Sequence, residues 1–303
     1  YKRQDFGSIQ DKLATSAILT YTLDSTCYSV IGKQTEAINE LDKNDPEYYV
    51  KQGNTTEQYI AENSIVKVYG SEAAEELIDH CFQIYGGYGF IEEYPMAQAY
   101  RDNRINKIWE GTNEINRMLC GRAMITKALS GEIGFKEYLE KVDVYCNNGL
   151  DSGYEGDLKT EVECVEAAKA VYAICLNESL SKHGQDIGTE QVIIENLANI
   201  LIYAYVGDST LSRVIQNKDL YVQKNQVVPE LCAKVYTAEQ GIRVMEYANK
   251  ILNSIYDGEI PKELESKFAK LSKRLSLSTD TIGLKKIIGE KVVEAGGYPV
   301  QSF

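Results

Sequence analysis

Histidine and paired cysteine motifs are scarce in this sequence of 303 residues. Only two histidines occur, His80 and His183, and no two cysteines stand in a CxxC arrangement. The seven cysteines are widely spaced and odd in number, at positions 27, 81, 120, 146, 164, 175 and 232. This pattern argues against a disulfide framework and against a zinc site, so we predict no metal centre. Free thiols fit a reducing compartment, and we expect the protein to be cytoplasmic.

Long apolar runs and prolines are also scarce. The longest apolar stretch, residues 200–206, is far shorter than the roughly 18 residues that a stable membrane span needs. Five prolines occur, with none between Pro95 and Pro229. An all-β fold would need more turn residues than this, so the sequence favours long helices. The chain opens without methionine or a signal-peptide pattern, which indicates a fragment of something longer.

A basic surface is absent. The net charge is −13, of which residues 1–130 contribute about −6 and residues 131–303 about −7. Acidity is therefore a property of the whole surface rather than of one tail. This charge disfavours nucleic acid and anionic membranes as partners.

Apolar residues recur at helical spacing along most of the chain. The predicted helices cover residues 9–37, 56–85 with a polar cap at Thr55-Thr56, 113–130, 136–146, 158–182, 189–216, 227–256 and 261–295. Residues 147–157, NNGLDSGYEGD, are the most linker-like stretch. We predict an all-α fold in two parts, a helical domain over residues 1–130 and an additional α-helical domain over residues 131–303.

Glu110 stands between an aromatic residue and a glycine, in the run Trp109-Glu110-Gly111-Thr112. A carboxylate beside a large apolar side chain can be partly desolvated, which raises its pKa and makes it a better base. Gly111 leaves room for a substrate to approach the backbone, and Thr112 precedes a helix whose N–H groups favour an anion. The alternative is that Glu110 is a helix-start carboxylate and Gly111 a turn residue.

A second segment, QIYGGYG at residues 83–89, is rich in glycine. Glycines let a backbone approach a planar or phosphorylated ligand closely. The same residues would also serve as a helix C-cap followed by a turn, and a lone GGxG is weak evidence for a ligand site.

Together the two segments closely resemble the acyl-CoA dehydrogenase family. Four motifs of that family occur here in the family's order and spacing: QIYGGYGF at 83–90, EYP at 93–95, YRD at 100–102 and WEGTNEINR at 109–117. Trp109 stands where tyrosine or phenylalanine is commoner. The resemblance covers residues 1–130 and implies the family's C-terminal four-helix bundle. Residues 131–303 look like the extra helical domain of the very-long-chain branch.

The resemblance implies a role for each motif. Glu110 falls on the catalytic base that removes the α-proton of a fatty acyl-CoA, and Gly111 falls where the thioester or acyl chain is contacted. The β-hydride goes to FAD, and the product is a trans-2-enoyl-CoA. Arg101 and Asp102 are expected to form a structural ion pair. FAD contacts are implied for Gln83, Ile84, Gly86, Gly87, Thr112, Asn113 and Glu114.

The resemblance also implies partners. Electrons would pass to an electron-transfer flavoprotein, and the family's habit of holding FAD across subunits implies a homodimer or a dimer of dimers. The extension at residues 131–303 is expected to serve packing or dimerisation, and its acidity argues against the membrane association found in mitochondrial members.

The start of the chain departs from the family pattern. Arg3 to Gly7 look like the family's R-x-x-F-G motif, but the helix at Ile9 follows too soon. We therefore align Phe6-Gly7 with a later position inside the helix and do not expect Arg3 to bind the cofactor. Most of the flavin and acyl-CoA pocket would lie upstream, so this fragment alone should be inactive.

Two other functions stay open. The protein could be an acyl-CoA oxidase relative, which differs only in using oxygen as the electron acceptor. It could also be a non-catalytic helical scaffold or dimerisation module. The intact Glu110-Gly111-Thr112 run speaks against a scaffold, which has no need of a base there.

Overall fold

The computed structural model describes residues 3–300. Within that range it contains α-helices, short 3₁₀ turns and no strand, which confirms the predicted all-α fold. The α-helices are α1 Gly7–Asn39, α2 Tyr48–Gln58, α3 Ile60–Tyr85, α4 Gly87–Phe90, α5 Pro95–Arg104, α6 Asn113–Ser130, α7 Phe135–Asn148, α8 Lys159–His183, α9 Gln191–Gln216, α10 Lys218–Gln223, α11 Val228–Ile255, α12 Lys262–Leu275 and α13 Thr281–Ala295.

Helix α6 begins and ends where the sequence predicts. The Thr112 hydroxyl accepts a hydrogen bond from the Ile115 N–H at 3.3 Å, as expected of an N-cap. Gly131 follows the helix at φ 79°, and its N–H bonds to the Lys127 carbonyl. Glycine adopts this left-handed conformation without a steric penalty, so the helix ends there.

Two predicted helices are wrong in their bounds. The segment predicted as 56–85 is divided into α2 and α3 at Tyr59, and Thr55 lies inside α2 instead of capping a helix. Its hydroxyl donates to the Lys51 carbonyl at 2.9 Å, one turn earlier. The predicted helix 261–295 is likewise two helices, because Asp280 starts α13 by accepting the Gly283 N–H at 2.9 Å. Residues 276–280, SLSTD, separate the two, and their three hydroxyl residues and Asp280 favour a helix break that apolar periodicity alone does not reveal.

Buried side chains form two clusters. The α8 core gathers apolar residues of α6, α7, α8, α9, α11 and α12 around fully buried Leu176 and Ile194. The α1 core gathers residues of α1, α3, α9, α11 and α13 around fully buried Tyr21 and Ile288. Helices α9 and α11 contribute to both cores, which therefore share two long central helices. The α1 core draws on both sides of residue 131, and a domain boundary there stays a prediction.

Helix α13 packs against α1 through a close backbone contact. A Cβ atom at Gly289 would lie 2.6 Å from the Gln10 carbonyl oxygen, so only glycine fits. Gly241 of α11 is as restricted, because a Cβ there would lie 2.3 Å from the Leu275 carbonyl oxygen. In the part of the chain that the structure covers, no helix has both the length and the apolar character needed to cross a membrane.

Replacing Gly241 should destabilise the fold. The Gly241→Ala change forces α11 away from the end of α12, and overpacking of this kind costs about 1–3 kcal/mol of unfolding free energy. Gly32→Ala is the matched control, since no atom lies within 4 Å of the added Cβ in α1. It should stabilise the chain by up to about 1 kcal/mol through helix propensity. Urea unfolding of both variants gives the comparison, and equal midpoints would contradict the packing described.

The buried thiols should resist alkylation in the folded protein. Burial raises the pKa of Cys120 and of Cys164 to about 12, and raises those of Cys175 and Cys232 further. Because the thiolate is the nucleophile, these four should stay unlabelled by iodoacetamide at pH 8. The partly exposed Cys27 and Cys81 should be labelled slowly, and all seven should react in urea. Peptide mass spectrometry identifies each site, and early labelling of any buried thiol would contradict the packing.

Candidate active site

Glu110 lies on a short turn between the 3₁₀ turn Ile105–Lys107 and helix α6. Its backbone adopts φ 53°, and the next residue, Gly111, adopts φ 77°. Glycine takes up a positive φ freely, whereas a glutamate does so at an energetic cost. Strained backbone of this kind is concentrated at functional sites, where surrounding contacts must hold it.

Two side chains hold the Glu110 turn by its carbonyl oxygens. The Asn116 Nδ2 donates to the carbonyls of Glu110, Gly111 and Thr112 at 3.3, 2.8 and 3.1 Å. The Lys67 Nζ, from α3, also donates to the Gly111 carbonyl at 2.7 Å. The backbone of the turn is therefore fixed from α6 itself and from the neighbouring helix α3.

Asn113 connects this turn to α3. Its side chain is buried, with 1 % exposure, and its Oδ1 accepts from Lys67 Nζ at 2.7 Å. Its Nδ2 donates to Ser71 Oγ at 2.9 Å and to Glu72 Oε1 at 3.1 Å. Burial lowers the pKa of Lys67, while the nearby carboxylates of Glu114 and Glu72 oppose that effect.

Arg117 extends the same network to the second half of the chain. It donates to both carboxylate oxygens of Glu72, at 2.8 and 2.9 Å. Its Nε donates to the Oδ1 of Asn199 on α9 at 2.7 Å. Planar bidentate pairing of this kind fixes both distance and orientation. Helices α3, α6 and α9 are thus joined directly behind the Glu110 turn.

The side chains of Glu110 and Trp109 face solvent. Glu110 is exposed, and Trp109 beside it is 57 % exposed. The aromatic residue predicted to desolvate the carboxylate is therefore present, but no described part of the chain covers the pair.

The glycine-rich segment forms the junction between α3 and α4. Gly86 adopts φ 61°, which turns the chain out of α3. Gly89 is buried, and a Cβ there would lie 2.7 Å from the Phe82 carbonyl oxygen. Gln83 and Gly87 are exposed, and a Cβ at Gly87 would meet open space. Two of these glycines are thus needed by the chain's own turn, while Gly87 leaves its backbone accessible from solvent.

Arg3 contacts this junction instead of standing apart from it. Its Nη1 donates to the Ile84 carbonyl at 3.0 Å and to the Tyr85 carbonyl at 3.4 Å. These carbonyls belong to the last turn of α3, where a cation is favoured by the helix dipole. The contact gives Arg3 a structural partner within the chain.

The predicted ion pair between Arg101 and Asp102 is not the one that forms. Arg101 makes a bidentate pair with Glu92 at 2.7 and 2.8 Å. Consecutive residues of a helix project in different directions, so Arg101 and Asp102 cannot face each other on α5. The pairing is with the loop before α5, and both partners are exposed.

The start of α6 is a helix N-terminus at which the Glu114 carboxylate and the Thr112 hydroxyl already accept two of the backbone N–H groups. Helix N-termini bind anions through unpaired N–H groups and the helix dipole. The Glu114 carboxylate accepts from its own backbone N–H and from the Thr112 hydroxyl, and both lower its pKa. The buried Asn113 side chain is committed to α3, so a ligand could reach that residue only through its backbone.

Aromatic and aliphatic side chains surround these motifs on the exposed surface. The exposed members between residues 85 and 115 are Tyr85, Tyr88, Phe90, Ile91, Tyr94, Tyr100, Ile105, Ile108, Trp109 and Ile115. Tyr94 contacts both Tyr85 and Tyr88, with ring centroids 6.4 and 5.1 Å apart. A concentration of exposed apolar side chains is typical of a surface that another part of a protein covers.

The residues that hold the Glu110 turn were missed by sequence reasoning. Lys67, Glu72 and Asn116 occur on helical stretches where charged and amide residues are ordinary surface features. Asn199 is separated from Arg117 by 82 positions. The sequence held one indication of this network. Arg117 is the last residue of the WEGTNEINR motif, and the sequence predicts no partner for it.

Two family models match this chain, and both describe an acyl-CoA dehydrogenase C-terminal domain. One covers residues 2–125 and the other residues 167–267. The first includes the glycine-rich segment and the Glu110 turn, and the second includes most of α8, α9 and α11.

Individual relatives agree with the family models. A probable acyl-CoA dehydrogenase of Bacillus subtilis is 28 % identical over 97 % of this chain and 50 % of its own length. The very long-chain specific acyl-CoA dehydrogenase of Bos taurus is 32 % identical over 70 % of this chain and 32 % of its own length. The chain thus spans half or less of the length of these relatives.

Solved structures show the same relationship. An acyl-CoA dehydrogenase of Bacillus anthracis, complexed with FAD, superposes with a TM-score of 0.89 at 29 % identity, over 98 % of this chain and 50 % of that one. An acyl-CoA oxidase of Yarrowia lipolytica superposes with a TM-score of 0.60 at 18 % identity, over 95 % of this chain and 45 % of that one, which shows the shared fold alone. On the combined evidence of motifs, fold and relatives, this chain belongs to the acyl-CoA dehydrogenase family.

Proposed function

We propose that the protein containing this chain is an FAD-dependent acyl-CoA dehydrogenase that oxidises a fatty acyl-CoA to a trans-2-enoyl-CoA. The observation that carries the proposal is the Glu110 turn. A carboxylate held on strained backbone, next to a glycine and directly before a helix N-terminus, is suited to act as a base on a bound substrate. Its place in the family's motif assigns it the substrate α-proton.

The chain's own residues account for the positioning of this base. Lys67 and Asn116 both donate to the Gly111 carbonyl, and Asn116 also donates to the carbonyls of Glu110 and Thr112. Glu110 and Trp109 are both exposed, so a further segment or subunit could cover them. A covering segment or subunit would exclude water from the pair. Gly111 leaves its backbone open to the thioester.

The residues present fit FAD as the cofactor. When bound, FAD supplies the acceptor for the substrate hydride. The α6 N-terminus offers the backbone N–H of Asn113 and the Thr112–Glu114 pair, and the exposed Gln83 and Gly87 offer a polar side chain and an accessible backbone. Ile84 and Gly86 shape the turn that presents them. These are the residues we propose as cofactor contacts, with Glu110 on the substrate side.

We also propose the partners of the reaction. An electron-transfer flavoprotein would accept the electrons, and the protein would work as a homodimer or dimer of dimers in the cytoplasm, on fatty acyl-CoA substrates of β-oxidation. The exposed apolar side chains around the glycine-rich segment support an intersubunit or interdomain contact there.

Two alternatives are weaker. An oxidase relative has support from fold likeness at 18 % identity, which does not distinguish electron acceptors. A non-catalytic scaffold does not explain why Glu110 is kept on a strained turn held by Lys67 and Asn116.

Removing the Glu110 carboxylate should stop flavin reduction. In the full-length, FAD-loaded protein without oxygen, a fatty acyl-CoA should bleach the flavin absorbance rapidly. Glu110→Gln keeps the shape of the side chain but cannot take a proton, so the bleaching rate should fall roughly 10²- to 10⁴-fold. Stopped-flow absorbance measures both rates.

Asp79→Asn is the matched control, because Asp79 is an exposed carboxylate on α3 away from the turn. It should bleach at the wild-type rate. Unchanged bleaching in Glu110→Gln would assign the base elsewhere, and absence of bleaching in the wild type at every chain length would favour the scaffold.

Oxygen separates the dehydrogenase from the oxidase. After reduction by substrate, the flavin of a dehydrogenase should reoxidise slowly in air and rapidly with an electron-transfer flavoprotein or an artificial acceptor. Hydrogen peroxide should therefore form at a small fraction of the turnover rate. Peroxide formed in step with enoyl-CoA would instead identify an oxidase.

A further inference from the structure

Helix α9 of the C-terminal half is hydrogen-bonded to Arg117 of α6, the helix that follows the Glu110 turn. The contact passes through Arg117, which holds Glu72 of α3 with two nitrogens and Asn199 of α9 with the third. Asn199 is buried, with 9 % exposure, so its amide oxygen meets Arg117 away from bulk water. In a poorly solvated setting, a charge-assisted hydrogen bond at 2.7 Å is strong and directional.

From Glu72 the contacts continue to the turn. Glu72 Oε1 accepts from Asn113 Nδ2 at 3.1 Å as well as from Arg117. Asn113 Oδ1 accepts from Lys67 Nζ, which donates in turn to the Gly111 carbonyl. Every link is 3.1 Å or shorter. The Gly111 carbonyl, one residue after Glu110, is therefore joined to α9 by an unbroken series of hydrogen bonds.

The Glu110 turn needs such support because its own conformation is unfavourable. A positive φ is unfavourable for a glutamate, so the Glu110 conformation persists only where contacts fix it. Catalysis by a positioned base requires the carboxylate to be held within a fraction of an ångström. Asn199 accepts the Arg117 Nε–H while the other two guanidinium nitrogens hold Glu72, so the Asn199 amide is one of the two groups that orient the guanidinium.

We propose that Asn199 is a positioning residue for Glu110, through which the C-terminal half of the chain controls the geometry of the base. This proposal rests on the proposed function, since it gives Glu110 the role of base. Asn199 touches neither substrate nor cofactor in this arrangement. It acts by orienting Arg117.

The test compares three substitutions on α9 in the full-length, FAD-loaded protein. Asn199→Leu keeps the approximate volume but removes the acceptor of the Arg117 Nε–H. Asn199→Asp keeps an oxygen acceptor and should behave as wild type. Asn196→Leu is the matched control, because the Asn196 amide bonds only to the Val192 carbonyl of its own helix.

Two measurements are made on each variant. Hydrogen–deuterium exchange of peptides covering residues 105–118 reports the order of the turn without any need for activity. Anaerobic flavin reduction by a fatty acyl-CoA reports the base. We expect Asn199→Leu alone to speed exchange in the turn and to slow reduction at saturating substrate roughly tenfold, short of the ~10²-fold that a full ångström of misplacement costs. KM should change little. In Asn199→Asp, the exchange of the turn and the reduction rate should both equal those of the wild type.

Each other result has a defined meaning. Unchanged exchange in Asn199→Leu would overturn the proposal. So would faster exchange with a wild-type reduction rate, since Asn199 would then have a purely structural role. If the wild-type protein itself fails to reduce flavin, the proposed function is wrong, and with it the role assigned to Asn199, whatever the exchange shows.

Discussion

The ion pair between Arg117 and Glu72 is the contact on which the candidate site depends. It brings together α3, which carries Lys67, and α6, whose first turn follows Glu110. The Arg117 side chain is 13 % exposed and that of Glu72 is 37 % exposed, so it is the guanidinium that is largely removed from water and that would lack a counter-charge if Glu72 were lost. Arg117 also donates to Asn199, which adds α9 to the same junction. The strained turn is therefore supported by three helices instead of one.

This arrangement gives the C-terminal half of the chain a place in the architecture of the site. Helices α9 and α11 contribute buried side chains to both cores, and α13 returns to pack its Gly289 against α1. The two matched family models lie on either side of α7, yet the buried side chains run continuously between them. Physical coupling between the halves follows from shared helices, because close-packed elements transmit displacement to their neighbours.

The outer face of the candidate site consists of exposed side chains. Glu110, Trp109 and Gln83 all face outward, and aromatic residues around them are exposed although each could bury a large area. The relatives are about twice as long as this chain, and the Bacillus anthracis structure in the same fold was solved with FAD. These observations agree with the proposal that Glu110 acts as the base and that other segments cover it.

Local sequence determined the all-α class, the positions of most helices and the identity of the Glu110 motif. These depend on residues close together in the chain: Thr112 and Gly131 bound α6, and Gly111 directly follows Glu110. Local sequence failed to predict the ends of helices at Tyr59 and at residues 276–280. At both places the helical spacing of apolar residues continues across the position where one helix ends and the next begins. Only the tertiary structure decided that Arg101 pairs with Glu92, that Lys67 holds Gly111, and that Asn199 meets Arg117. The physical reason is that a side chain's hydrogen-bond partner depends on which elements pack together. Contacts between separate elements leave no pattern of helical or strand spacing in the sequence.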